Sequence, residues 1–370
     1  MKKNVGQHLD MLDGFRGMLA FWVFGGHLMG KCHAYLILFA EAGSAVDLFM
    51  YVSGFLMAWH WLDREASFSR VSDQSVDFYI RRFFRIAPLY YPLLIVACVM
   101  QPDWNSSLTW PSILLHVSFL FGIFPQYASN NLLPDWSISL EMQFYLLFPL
   151  LMLALRYAGA IICLFVGVQA MQIMHGLFGL YLKAGPLGTF PYPSCILFRL
   201  HIFLAGMLLA KLLVSQVYGE KEERPKLLFY YLALIVYAFL FSPSAVSRWA
   251  LFLTVVLVVD AKYLGMIVKV FSCSLARFMG DVSYSVYLVH LLVLQAALPF
   301  LVAHVLPGKS PRADFAISAL ILIPTVYAIS YFLHRTIEAP GIEFGRKLAK
   351  RWKEYLAGRR PLAPGVFVAE

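Results

Sequence analysis

Charged residues are scarce in this sequence. Of its 370 residues only 14% are Asp, Glu, Lys or Arg, whereas 60% are hydrophobic. Soluble globular proteins carry about 25% charged and about 45–50% apolar residues. The chain has too little charge to solvate the surfaces of soluble domains. A soluble enzyme is therefore excluded, and an integral membrane protein is indicated.

Long runs without any charged residue support this interpretation. Each of the five longest runs is as long as, or close to, the roughly 20 residues that cross a bilayer as a helix. They cover residues 104–134, 157–182, 227–247, 282–308 and 315–333.

The sequence predicts an all-α, polytopic membrane protein with about ten transmembrane helices. We place these helices near residues 13–30, 45–61, 79–100, 137–156, 158–181, 195–217, 228–242, 248–262, 283–304 and 314–335. The apolar piece 111–124 is only about four turns long, so it is either an eleventh span or a re-entrant element.

The distribution of basic residues favours ten spans. With ten, all but six of the thirty Lys and Arg residues fall on one side of the membrane, together with both termini. The six on the other side are Lys31, Lys183, Arg199, Arg248, Lys309 and Arg312. Because basic loops stay in the cytoplasm, both termini are predicted to be cytoplasmic. The net charge of +9 is then explained by topology, and no nucleic-acid partner is predicted.

Neither the cysteines nor internal repeats point to another class of protein. Five cysteines without a CxxC pair predict neither a disulfide framework nor a metal site. No period of 20–50 residues recurs, which weakens a transporter interpretation. Lys2 and Lys3 precede an apolar run as in a signal peptide, but no convincing cleavage site follows, so we expect a retained first helix.

The C-terminal segment 346–360, RKLAKRWKEYLAGRR, is basic and amphipathic. Such a helix is predicted to lie against anionic headgroups, which makes membrane lipid a predicted partner. We therefore divide the chain into a transmembrane domain, 1–345, and a basic cytoplasmic tail, 346–370.

Ionisable residues inside the predicted spans are candidates for function, because each is costly in lipid. Arg16 and His27 are eleven residues apart on the first helix, which puts them on one face and about 16 Å apart. The remaining candidates stand near the ends of other spans or beside Arg16. They are Asp13, Asp47, Glu141, Arg199, His201 and the cluster of Arg81, Arg82 and Arg85.

Several of these residues also have simple structural interpretations. Asp13 and Arg16 are spaced for an ion pair within the helix, and the arginine cluster is typical of anchoring at the cytoplasmic face. A single histidine in a membrane is often only hydrogen-bonded. Histidine as a residue type nevertheless titrates near neutrality, and His27 shares its helix face with a cation. The pair His8 and Asp13 matches the HxxxxD pattern of soluble glycerolipid acyltransferases, and we interpret this match as accidental.

Seven motifs in order resemble the acyltransferase-3 family of membrane O-acyltransferases. They are LDGFRGMLAFWVFGGH (12–27), AVDLFMYVSGFLMAW (45–59), FYIRRFFRIAPLYY (78–91), WSISLEMQFYLLFPLL (136–151), FRLHIFLAGMLLA (198–210), GDVSYSVYLVH (280–290) and YFLHRTIEAP (331–340). The resemblance implies a ten-helix enzyme of the bacterial inner membrane. It implies transfer of an acyl group, commonly acetyl, from acyl-CoA to a hydroxyl of a carbohydrate or other envelope or secreted molecule. Arg16 and His27 match the family's arginine-x10-histidine signature, and Arg82 and Arg85 match its RxxR element.

These residue types suit attack of a hydroxyl on a thioester, which needs a base near pH 7. We expect His27 to be that base, oriented by Glu141 or Asp47, with Arg199 or a backbone amide stabilising the oxyanion. A covalent acyl-histidine intermediate stays open as an alternative to direct transfer.

Further residues are expected to bind the acyl donor and to line the site. Arg16, Arg82, Arg85 and in addition Arg81 are expected to bind the phosphates of acyl-CoA. A role in lining the site or binding the oxyanion is assigned to Asp13, Trp136, Ser139, Arg199, His201, Tyr284 and His290, with packing an equal alternative for Tyr284 and His290.

Two other classes of protein remain as alternatives. In a proton-coupled transporter or flippase, His27, Asp47 and Glu141 would form a proton relay. A non-catalytic sensor that kept the fold would be expected to lose the Arg16–His27 pair, which is present. Within the enzyme class, O-antigen, exopolysaccharide, nodulation-type and macrolide-like acceptors are all compatible, with a cell-surface polysaccharide preferred by resemblance.

Overall fold

The computed structural model describes residues 2–100, 110–124, 127, 133–184, 194–218, 224–241, 265–306 and 310–359. In these ranges the chain is all-helical. The α-helices are α1 (Lys2–Lys31), α2 (Ala42–Arg64), α3 (Val71–Met100), α4 (Trp110–Val117), α5 (Trp136–Tyr157), α6 (Ala160–Ala184), α7 (Leu200–Tyr218), α8 (Arg224–Phe241), α9 (Gly265–Phe271), α10 (Ser274–Asp281), α11 (Ser283–His304), α12 (Pro311–Leu333) and α13 (Ala339–Arg359).

Six helical segments of the described chain are long and apolar enough to cross a membrane. They are Ile37–Arg64, Val71–Met100, Trp136–Tyr157, Ala160–Leu177, Ser283–His304 and Pro311–Gly358. The prediction of a multi-pass, all-helical membrane protein is confirmed at this level. The predicted helix 248–262 lies outside the described residues.

Helix boundaries differ from the predicted ones mainly at the charged ends. The first helix begins at Lys2 rather than near residue 13, and much of the stretch between the predicted helices 45–61 and 79–100 is helical. The stretch before the predicted helix 283–304 contains α9 and α10. Charge marks the end of an apolar run, but it does not end a helix whose polar turns project into water.

The short helix α4 has eight residues and is therefore about 12 Å long. Helices that cross the hydrocarbon core need about 30 Å, so α4 cannot cross it alone. The chain turns after α4 at Phe119, which has a positive φ of 62°. The Ser139 hydroxyl holds this turn, because it donates to the Phe119 carbonyl (2.6 Å) and accepts from the Gly122 amide (3.1 Å).

Helix α1 lies at the centre of the bundle and packs against α2, α10 and α11. Its residues contribute to both hydrophobic clusters of the core. Leu19 and Val23 belong to the larger cluster, whereas Phe24 and Leu28 pack with residues of α11 and α12 in the smaller one. A helix buried on most of its surface holds its polar side chains in fixed positions.

The last two helices form one continuous rod. A π-helical segment, His334–Glu338, joins α12 to α13, so helix continues through the predicted boundary at residue 345. α13 packs along α3, and the Trp352 indole donates to the Asp73 carbonyl (3.1 Å). The amphipathic segment predicted to lie on headgroups thus also contacts protein.

Helices α2 and α7 are in close backbone contact at Gly54 and Gly206. A Cβ at Gly54 would overlap the Phe203 carbonyl oxygen, and a Cβ at Gly206 would overlap the Tyr51 carbonyl oxygen. Because both neighbours are backbone atoms, neither can rotate away. Small residues at helix contacts are the usual basis of close packing in membranes.

Replacing Gly206 by Ala is therefore expected to destabilise the protein by about 1–3 kcal/mol, as overpacking of a core does. The measurement is the thermal unfolding midpoint in detergent. Gly43→Ala is the matched control, because a Cβ there meets nothing within 4 Å. Equal midpoints for the two variants would contradict the packing.

Candidate active site

His27 and His290 form a hydrogen-bonded pair between α1 and α11. The His27 Nδ1 and His290 Nε2 atoms are 2.9 Å apart, and the ring centroids are 5.0 Å apart. His290 is fully buried, whereas His27 is exposed. The buried ring therefore holds the exposed one in place, and the second nitrogen of His27 is left accessible.

The backbone of α11 determines where His290 carries its proton. The Nδ1 atom of His290 lies 3.1 Å from the Val286 carbonyl oxygen. A carbonyl oxygen only accepts, so Nδ1 is the donor and Nε2 of the neutral ring is unprotonated. Nε2 then accepts from the Nδ1–H of His27, which leaves the His27 Nε2 lone pair free to take a proton.

The carboxylates expected to orient His27 make other contacts. Glu141 accepts from the Tyr145 hydroxyl (2.5 Å) and the Ser53 hydroxyl (3.2 Å). Asp47 is buried and forms an ion pair with Arg199. The contact that the sequence assigned to a carboxylate is made in the structure by His290.

A small cavity of about 60 Å³, here called the inner cavity, is lined by Tyr287, one turn before His290 on α11. Its polar lining residues are Arg16, Ser53, Ser137, Glu141, Ser283, Tyr284 and Tyr287. The Tyr287 ring lies 6.0 Å from the His290 ring, and its hydroxyl is 2.7 Å from the Ser137 hydroxyl. Four helices, α1, α2, α5 and α11, thus bring polar groups to one small space.

A larger cavity of about 540 Å³, here called the basic cavity, lies at the end of the bundle where α2 ends and α3 begins. Its charged and titratable lining residues are Asp13, Arg16, His60, Arg82, Arg85, Asp281, His334 and Arg346. Four arginines against two aspartates give this cavity an excess of positive charge. Arginine is well suited to bind phosphate, because its planar guanidinium offers paired donors.

Arg16 lines both cavities. It is part of α1, the same helix that carries His27 about 16 Å away along the axis. Asp13 lies 3.9 Å from Arg16, at the i,i+3 spacing, and the Asp13 side chain is about half exposed. Of the two signature residues, Arg16 thus lies where the two cavities meet, and His27 lies about three turns further along the same helix.

Arg85 is held in the basic cavity by a buried carboxylate that the sequence analysis missed. Its guanidinium donates to Glu338 (2.6 Å), which also accepts from the Ser285 hydroxyl (2.6 Å). The His334 ring lies 3.1 Å from the same carboxylate. The signal was present in the motif YFLHRTIEAP, but the predicted last helix ended at residue 335, so Glu338 was not considered as a residue inside a span.

Arg81 lies outside the basic cavity. It forms a two-point ion pair with the buried carboxylate of Asp77, at 3.0 and 3.2 Å. Neighbouring Arg82 instead places its guanidinium 5.7 Å from the rings of both Phe78 and Tyr145. The spacing of the arginines alone could not separate these two roles.

The remaining predicted residues have structural partners. His201 is buried and lies 2.8 Å from the Tyr237 hydroxyl. Trp136 packs at the edge of the larger core cluster. The Tyr284 hydroxyl donates to the Ile86 carbonyl (2.9 Å), while its ring lies 5.9 Å from the Arg85 guanidinium. Of the lining residues predicted from the sequence, Tyr284 reaches the inner cavity and Asp13 the basic cavity.

The described part of the chain contains no group of three or more His, Cys, Asp or Glu residues that could hold a metal ion.

Comparison with known proteins gives two kinds of relatives. The protein named "Acyltransferase MdmB" of Streptomyces mycarofaciens is 26% identical over 382 residues, which cover 90% of this chain and 91% of the relative. The protein named "Putative O-acetyltransferase SACOL0978" of Staphylococcus aureus (strain COL) is 25% identical over 383 residues, or 94% of this chain. The match spans 59% of that relative's length. No solved structure gives a significant match.

The acyltransferase-3 family, described as "Acyltransferase domain", matches residues 9–335. That range contains the histidine pair, the inner cavity and all but three of the residues that line the basic cavity. A match over nearly the whole chain settles the assignment that the seven motifs suggested. The chain belongs to the acyltransferase-3 family of membrane O-acyltransferases.

Proposed function

We propose that this protein transfers an acyl group, most simply acetyl, from acyl-CoA to a hydroxyl of a cell-surface or secreted carbohydrate. The observation that carries the proposal is the position of Arg16 between the basic cavity and the inner cavity, on the helix that ends near His27. Helix α1 thereby joins the proposed site for the donor's phosphates, at Arg16, to the proposed imidazole base, His27.

The basic cavity would bind the phosphates of acyl-CoA. Arg16, Arg82, Arg85 and Arg346 line it, and Arg85 is already fixed by Glu338. Fixed guanidinium groups lose little conformational freedom when they bind an anion. The pantetheine arm would then pass Arg16 into the inner cavity and bring the thioester towards His27.

In the reaction, Nε2 of His27 removes the proton of the acceptor hydroxyl as its oxygen attacks the thioester carbon. His290 stabilises the imidazolium, because its Nε2 lone pair accepts from His27 Nδ1–H throughout. The new C–O bond forms and the C–S bond breaks. The proton on His27 passes to the departing thiolate, which leaves as free coenzyme A.

The oxyanion of the tetrahedral intermediate needs a donor, and Arg199 is occupied by Asp47. Ser137 and Tyr287 together carry two hydroxyl hydrogens, and the bond between them uses only one. The second hydrogen is available to an oxyanion in the inner cavity. A preorganised donor of this kind contributes roughly 2.7–4 kcal/mol in acyl transfer.

The proposal places the protein in the bacterial inner membrane, with ten spans and both termini in the cytoplasm. The positive-inside distribution supports this orientation, since the basic cavity lies at the end of the bundle that holds the N-terminal part of α1. Residues 1–345 then form the transfer domain and 346–370 a tail. The name of the Staphylococcus relative supports acetyl as the group transferred.

The test is transfer of radiolabel from acetyl-CoA to a crude envelope carbohydrate extract by purified protein in nanodiscs. His27→Ala is expected to abolish transfer, because it removes the base that takes the acceptor's proton in the proposed reaction. His304→Ala, at the exposed end of α11, is the matched control and should transfer label like the wild type. Transfer by folded His27→Ala protein would remove His27 from the mechanism.

His290→Leu is expected to lower kcat by about 100-fold or more while leaving the KM for acetyl-CoA unchanged, since it removes the acceptor that orients His27. His290→Gln keeps an acceptor oxygen and should recover part of the rate. A purely structural role would make both variants equally slow, and it would leave the pH dependence of the residual rate the same as in the wild type.

Arg82→Gln is expected to raise the KM for acetyl-CoA by about 10-fold or more with little change in kcat, because a charge-assisted hydrogen bond to phosphate contributes about 1.5–3 kcal/mol. Steady-state kinetics at two salt concentrations measure the effect. Arg277→Gln on neighbouring α10 is the control, since Arg277 is exposed and lies outside the basic cavity. An unchanged KM would place the donor elsewhere.

A further inference from the structure

A second cleft opens at the same end of the bundle and shares no residue with the basic cavity. We call it the lysine cleft. Its volume is about 440 Å³, and buried side chains form its wall: Ala58, Trp61, Met152, Ala160 and Met207. Its rim carries Lys211, Arg156, Glu65 and Ser215. Helix α2 separates the two sites, because Leu56 and His60 line the basic cavity while Ala58 and Trp61 line the lysine cleft.

Lys211 is an unexplained charge in this cleft. On α7 every residue from His201 to Ala210 is buried, as are Leu212 and Leu213, whereas Lys211 is half-buried. Glu65 is the carboxylate on the rim, and it pairs with Arg156 at 3.2 Å. Within the described ranges no acidic side chain pairs with Lys211.

A half-buried cation among apolar residues is expected to bind an anion. An ionisable residue within an apolar bundle is costly, and it usually marks a site whose partner neutralises it. Besides the Arg156–Glu65 ion pair, the cleft contains one further positive charge, Lys211. A wall of apolar side chains lies next to it. The complementary ligand has a single anionic head and apolar chains.

The surroundings of the cleft favour a lipid over a soluble anion. The cleft reaches Gly159 and Ala160 at the start of α6. The next turns of α6 expose Ile161, Ile162 and Phe165, as expected of a helix that faces acyl chains. A ligand in the cleft would therefore have its head beside Lys211 and its chains against the bilayer side of α6.

We propose that the lysine cleft binds one anionic glycerophospholipid, with its phosphate on Lys211 and its upper acyl chains along the apolar wall. This site is separate from the donor and acceptor sites and does not depend on the acyltransferase reaction. The bound lipid fills the space between α2, α5, α6 and α7, where these helices reach the cytoplasmic leaflet.

Native mass spectrometry of the full chain with phosphatidylglycerol, and with phosphatidylcholine as the neutral comparison, tests the proposal. The wild type should retain one phosphatidylglycerol molecule at detergent levels that remove phosphatidylcholine. Lys211→Gln should weaken that binding about five- to ten-fold, and Lys211→Arg should restore it. Lys269→Gln, an exposed lysine of α9 outside the cleft, should bind like the wild type.

A second variant and a second ligand complete the experiment. Ser215→Trp keeps Lys211 but fills the cleft, so it should also lose the retained lipid. Competition with glycerol 3-phosphate identifies a soluble anion as the ligand: displacement of the lipid at micromolar concentration would overturn the proposal. Equal retention of phosphatidylglycerol by Lys211→Gln and the wild type, with both folded by thermal unfolding, would overturn it as well.

Discussion

Neutralisation of charge inside an apolar bundle is the constraint on which this structure depends. Arg85 faces a cavity, and the carboxylate of Glu338, which has no exposed surface, holds it at 2.6 Å. That ion pair ties α3 to the segment between α12 and α13, and Ser285 ties the same carboxylate to α11. Breaking such a pair leaves a buried charge without a partner, which is far more costly than the pair is stabilising. Three helices are therefore positioned by one carboxylate.

Helix α1, at the centre of the bundle, brings the residues of the candidate active site together. α1 packs against α2, α10 and α11, so the groups on its faces meet residues from distant parts of the chain. Arg16 belongs to both cavities, and His27 meets His290 near the other end. The groups proposed for phosphate recognition and for proton transfer are thus held at a fixed separation by the rise of a single helix rather than by loops.

The sequence alone predicted those features that depend on the local pattern of residues. The charge-free run at 282–308 predicted α11 at its observed bounds, and helical periodicity predicted that Arg16 and His27 share a face. It could not predict the partner of His27, because His290 is 263 residues away and its contact depends on how α1 and α11 pack. Nor could it separate Arg81 from Arg82, since the buried Asp77 that binds Arg81 has no distinctive pattern. Tertiary pairing of polar groups was the information that was missing.

The π-helical segment His334–Glu338 sets the angular phase between two helices that otherwise form one rod. A π turn accommodates one residue more than an α turn, and each residue of an α-helix advances the rotation by about 100°. The number of residues in this segment therefore fixes which face of α13 meets α3. Apart from Glu338 and its partner His334, the side chains of this segment can vary more freely than its number of residues. A single deletion would turn Trp352 and Arg346 away from their present neighbours together.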